Sequence, residues 1–301
     1  MPNESTGTIP FTYNGETYHT WYKVVGNLTS GTRPLVVLHG GPGISHHYLL
    51  PHAELAASSN IPVIIYDQLG IGQSSHVEGK PAQFWSVELF MDELDNVLRH
   101  FGISDNYDLI GHSWGGMLAA TYASRRPHAG LKHLILSSAP ASMKLYESST
   151  NRLLELLPDD IKETLKKHEK EETTDDPEYQ KGMELFYNKF VCTLQPWPEY
   201  LVESFAKMDE DPTVYRTMIG ASEFFVTGTL KTWSVTDSLT KISCPTLLIN
   251  GENDTVQDFT MEPFFRDIPR VKWISFGKSS HMPMYEEKER YFQVLTQFLT
   301  S

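Results

Sequence analysis

Cysteine is scarce in this sequence: 301 residues carry two, Cys192 and Cys244, far apart and without CxxC or metal-ligand spacing. A disulfide framework and a cysteine metal site are therefore not expected, and both thiols read as buried apolar residues. Positive charge is also short, 25 Lys and Arg against 38 Asp and Glu, for a net charge of −13. Such a surface repels nucleic acid and anionic membranes, so neither is an expected partner, and a small or cationic substrate fits better. No apolar run approaches the roughly 20 residues that span a bilayer. The opening MPNESTGTIPF has neither a basic n-region nor an apolar h-region, which predicts a soluble, cytoplasmic protein. The sequon Asn27-Leu28-Thr29 comes with no secretion signal and reads as a chance match. Internal repeats and low-complexity linkers are absent.

What is present is a change of hydrophobic period along the chain. The first thirty residues alternate in FTYNGETYHTWYKVV, with Asn14-Gly15 as a tight turn, and predict an antiparallel edge hairpin. Short continuous apolar runs follow at 34–40, 61–67, 107–112 and 131–138, the mark of strands buried on both faces. Between them lies helical spacing, clearest over 87–102, where Leu89, Phe90, Leu94, Val97, Leu98 and Phe101 share a face before Gly102. From about Pro140 to Thr236 the sequence turns helical and charged; strand signals resume at 244–254 and 271–276, and an amphipathic helix closes the chain. The pattern predicts an α/β fold, a mostly parallel sheet with helices on both faces, whose core (1–139 and 237–301) is interrupted by a helical cap (140–236). The mixed charge run in the cap reads as a solvated face.

Gly111-His112-Ser113-Trp114-Gly115 is a GxSxG between an apolar strand and a helical segment. In that setting the serine occupies a sharp turn that only small neighbours permit, and Ser113 is the expected nucleophile. A hydroxyl needs a base, and the base needs an orienting group. Asp254 follows one late strand and His281 the next, in the order Ser, acid, His of the α/β-hydrolase fold. Glu252 competes with Asp254, Asp237 lies too early, and His128 and His133 precede the acid. The glycines of HGGPG (39–43) let backbone N–H groups approach a carbonyl oxygen, so Gly41 and Trp114 are expected to form an oxyanion hole. His39, His46 and His47 lack metal-binding spacing and a nearby acid in sequence, so no metal and no cofactor are expected.

HGGPG, YDQLGIGQS (66–74) and GHSWGG (111–116) together resemble the prolyl iminopeptidase family of α/β hydrolases, over nearly the whole chain. The cap segments DPEYQKGMELFY (176–187) and VYRTMIGASEFFVTGTLKTW (214–233) are most similar to the tricorn-interacting aminopeptidases of that family. The resemblance implies release of an N-terminal residue from a peptide, or hydrolysis of an amino-acid amide, with Glu223 holding the substrate ammonium. Glu223 could otherwise be a solvated helix residue. Two positions depart from the family. Thr255 stands where a second amine-binding glutamate is expected, and Leu69 replaces the arginine of DQRG. Trp114, Phe224, Phe225 and Trp233 are candidate walls for the substrate side chain, with plain core the commoner reading of each. An esterase or lactonase acting on a neutral molecule, and a silent small-molecule binder, are the competing readings. Oligomeric state is not legible.

Overall fold

Asn14 and Gly15, both at positive φ, turn the chain between β1 (Glu4–Tyr13) and β2 (Glu16–Val25). This is the two-residue loop whose twist matches paired antiparallel strands. The computed structural model describes residues 2–126 and 129–301. Six further strands follow: β3 (Leu35–Leu38), β4 (Val63–Tyr66), β5 (Tyr107–His112), β6 (Leu131–Ser137), β7 (Thr246–Gly251) and β8 (Val271–Phe276). They form one sheet in the order β1-β2-β4-β3-β5-β6-β7-β8. The β1–β2 and β2–β4 pairings are antiparallel and all others parallel.

Side chains alternate across a strand, so continuous apolar runs supply two cores at once. Val36, Leu38, Ile64, Leu109, Leu134 and Leu248 face one layer, which holds helices α2 (Val87–His100), α3 (Trp114–Arg125) and α9 (Asp258–Asp267). Val37, Ile65, Ile110, Ile135 and Ile249 face the other, covered by α1 (Glu54–Ser58) and α11 (Lys288–Leu299). The Ser86 side chain caps α2 by accepting from Leu89 N–H, and Gly102 follows its end at φ +64°.

Between β6 and β7 come α4 (Met143–Leu154), α5 (Asp159–Glu171), α6 (Pro177–Phe190), α7 (Glu199–Glu210) and α8 (Thr213–Met218). Leu153, Leu165, Tyr179, Phe186, Phe190 and Phe224 give this segment an apolar cluster of its own. Each such burial stabilises by about 1.5–3 kcal/mol. On α5 only Leu165 and His168 are buried, so its charges lie on a solvated face. A short helix, α10 (Pro283–Glu286), joins β8 to α11.

Cys192 is buried but Cys244 only partly so, and both are unbridged. Among the described residues no helix is long and apolar enough to cross a membrane.

Candidate active site

β3 pairs with β4 on one side and β5 on the other, so the strand order reverses there. Connections leaving neighbouring strand ends at such a point diverge and leave a crevice. The carboxyl ends of β3 and β5 deliver HGGPG and GHSWGG to it. Ser113 joins β5 to α3 with φ 56° and ψ −123°. An L-residue held there stores about 1–3 kcal/mol of strain. The neighbours must be glycine: a Cβ on Gly111 would lie 2.1 Å from the Gly115 carbonyl oxygen, and one on Gly115 2.2 Å from that of Leu38. Gly40 is close as well, its Cβ position 3.0 Å from the Ser113 Cβ.

Asp254 and His281 come from the loops after β7 and β8. His281 Nδ1 lies 2.6 Å from Asp254 Oδ1, with Asp254 wholly buried and His281 nearly so. The same carboxylate accepts from Val256 N–H at 2.8 Å, which fixes its plane. Burial disfavours the imidazolium, yet the Asp254 carboxylate outweighs it, aided by Glu223 and Glu286, and the His281 pKa is raised. Glu252 is exposed, and Asp237 lies on an exposed turn before β7. His133 pairs with Asp108 at the amino ends of β6 and β5, the opposite edge of the sheet. His128 lies outside the described residues.

Ser113, His281, Gly41, Trp114 and Glu223 all line one pocket, of about 740 Å³ with its mouth included. Trp114 is the first residue of α3, where N–H groups have no intrahelical acceptor. Its indole donates to Gln68 Oε1 at 2.8 Å, and Gln68 Nε2 donates to the His39 carbonyl at 3.0 Å, tying the two glycine loops together.

Glu223 is half-buried on a loop, not on a helix. Its carboxylate accepts from Tyr146 at 2.7 Å and Tyr215 at 2.9 Å. The loop is folded back on α8 by Thr227 N–H and Gly228 N–H, both bonded to the Ile219 carbonyl at 2.9 Å. The pocket walls are otherwise largely apolar, Met117, Met143, Met208, Phe205 and Ile219 among them. Thr255 also lines it, with its hydroxyl 3.2 Å from His281 Nδ1.

Several sequence expectations are corrected. Of the four aromatic walls only Trp114 reaches the pocket. Phe224 packs in the apolar cluster of the helices between β6 and β7, Phe225 is exposed, and the Trp233 indole donates to Thr121 in the core. Tyr48, Tyr146, Tyr187 and Tyr215 line it instead, and no local signal marks them. Leu69 is fully buried, so the position where the family pattern has an arginine is interior. The histidines of the HGGPG segment do have acidic partners: His46 Nδ1 lies 2.8 Å from Asp67, and His47 Nε2 3.1 Å from Glu203. Sequence distance hid both. Away from the pocket, His168, Asp176 and Glu178 bring ligand atoms within 4.8 Å of one another. His168 comes from the last turn of α5, while Asp176 caps α6 and Glu178 lies in its first turn, where the helix dipole opposes a cation.

A serine on a strained turn, an imidazole held by a buried carboxylate, and N–H groups at a helix start are the kinds of group that acyl transfer uses. The family model described as the alpha/beta hydrolase fold matches residues 33–288. The proline iminopeptidase of Heyndrickxia coagulans is 38% identical over 271 residues, 90% of this chain and 92% of the relative. Among solved structures, VinJ superposes with a TM-score of 0.95 at 46% identity, covering 100% of this chain and 99% of that one. The proline iminopeptidase of Mycobacterium smegmatis does so with a TM-score of 0.90 at 40% identity, covering 98% of each chain. By its residues, its fold and these relatives, the chain belongs to the proline iminopeptidase family of α/β hydrolases.

Proposed function

We propose that this protein is a serine aminopeptidase that releases an N-terminal residue, proline included, from a small peptide or amino-acid amide. The observation that carries this reading is Glu223, a carboxylate braced by two tyrosine hydroxyls in the apolar pocket that Ser113 and His281 share. A free ammonium gains a charge-assisted contact there, and an acylated amine does not.

In this mechanism His281 Nε2 takes the Ser113 proton as Oγ attacks the scissile carbonyl. Asp254 holds the imidazole by Nδ1 and stabilises the imidazolium that forms. The N–H groups of Gly41 and Trp114 receive the oxyanion, each worth about 3 kcal/mol in the transition state. The intermediate collapses as His281 returns the proton to the leaving amine. Water then enters by the same route and frees the acid from Ser113.

A neutral ester gains nothing from Glu223, which disfavours an esterase or lactonase. The test is initial rates on L-proline 4-nitroanilide, its N-acetyl form and a 4-nitrophenyl ester, with Ser113→Ala as blank. Cleavage of the free-amine anilide, lost on acetylation and in Glu223→Gln, is expected. Turnover of the ester alone would overturn the reading.

A further inference from the structure

Beneath Ser113 a chain of hydrogen bonds joins the two loops that the reaction must keep in register. Gly40 N–H donates to Tyr48 Oη at 2.8 Å, Tyr48 Oη lies 3.0 Å from His112 Nδ1, and His112 Nε2 lies 2.8 Å from the His281 carbonyl oxygen. Tyr48 is 1% exposed and His112 2%.

The direction of the chain is fixed by its ends. A carbonyl only accepts, so His112 Nε2 carries the proton. Burial, reinforced by the neighbouring His281, keeps His112 neutral, so its Nδ1 is a lone pair and Tyr48 O–H must donate to it. That leaves the Tyr48 oxygen to accept from Gly40 N–H, and every polar atom is used once. Tyr48 is itself held from outside, its N–H donating to Ser204 Oγ of the cap and its carbonyl accepting from Tyr285.

We propose that Tyr48 and His112 are positioning residues that lock the oxyanion loop at Gly40 to the backbone of the general base His281, setting both around Ser113. Neither supplies a proton to the reaction. They fix where the oxyanion donors and the imidazole stand. The proposal rests on the reading of Ser113 as nucleophile but not on the peptide specificity.

Two measurements test it. In ¹⁵N-labelled wild-type protein, His112 is expected as the neutral Nε2–H tautomer throughout the pH range in which His281 titrates. An Nδ1–H tautomer or a charged ring overturns the relay without any substitution. Labelling of Ser113 by diisopropyl fluorophosphate needs the base and the oxyanion donors but no amine subsite. Tyr48→Phe is expected to slow it roughly ten- to a hundredfold. On L-proline 4-nitroanilide the same variant should lower kcat while KM stays within about threefold. His112→Gln should be slow as well, and the double variant no slower than the worse single one. Wild-type labelling in folded Tyr48→Phe, a loss confined to KM, or losses that multiply in the double variant would each overturn it. Absent anilide cleavage with normal labelling would instead count against the aminopeptidase reading alone.

Discussion

The backbone N–H of Leu69 donates to Glu93 Oε2 at 3.1 Å, in a place where neither residue reaches solvent. The family pattern expects an arginine at position 69. With leucine there, the side chain at 69 brings no charge to the core, where Glu93 lies near the buried Asp67. Burial raises the Glu93 pKa to about 7, although the Thr20 hydroxyl and Leu69 N–H favour its charged form.

That shift makes stability depend on pH in a defined direction. The folded state holds the Glu93 proton up to about pH 7, while the unfolded chain releases it near its ordinary 4.5. The contribution is therefore full below about pH 4.5 and is lost as pH rises towards 7, by up to about 3 kcal/mol. Glu93→Gln should abolish this slope. Urea unfolding of both proteins at pH 5 and pH 8 checks it: the variant gains on wild type at pH 8, and an equal difference at both values refutes the assignment.

The pH–rate profile should carry the signature of His281. A base must be neutral, so the acid limb of kcat/KM is expected above the ordinary imidazole value of 6.5, because Asp254, Glu223 and Glu286 outweigh burial. Removing a carboxylate lowers that pKa and moves the limb to more acid pH. Glu223→Gln, assayed on a 4-nitrophenyl ester so that amine binding plays no part, should show the move. An unshifted limb would remove Glu223 from the electrostatics of the base.

Glu286 ties the segment that follows α6 to the histidine loop. Its carboxylate accepts from the N–H and hydroxyl of Thr193 at 2.8 and 2.6 Å, and from the N–H and hydroxyl of Ser280 at 2.7 and 2.8 Å. Glu286→Ala strands the donors of the buried Ser280 and loosens the residue next to His281. A kcat loss of roughly tenfold is expected, with KM affected less. Unchanged kcat in a folded variant would count against this coupling.

Gly115→Ala should be severe, since the added methyl meets the Leu38 carbonyl at 2.2 Å and neither strand nor helix can retreat. A cost above about 3 kcal/mol, or no folded protein, is expected by thermal melting. Gly277→Ala, with nothing within 4 Å of its Cβ position, is the neutral control. Equal melting temperatures for the two variants would contradict this geometry.

The sequence by itself determined the sheet and the order in which Ser113, Asp254 and His281 leave its strands. Continuous Val, Ile and Leu runs at β3 to β7 are local signals, as are Asn14-Gly15, the glycines around Ser113 and the succession of Ser113, Asp254 and His281, because short-range sterics and burial write them into neighbouring residues. Tertiary structure decided the rest. Tyr48, Tyr146 and Tyr215 reach one pocket from three separate segments, while Phe225, four residues before Thr229, turns to solvent. Glu223 faces the pocket because its loop is bonded back onto α8, and His46 meets Asp67 across 21 residues. Such contacts depend on how whole elements pack, and no periodicity along the chain encodes where a cap loop returns over the sheet edge.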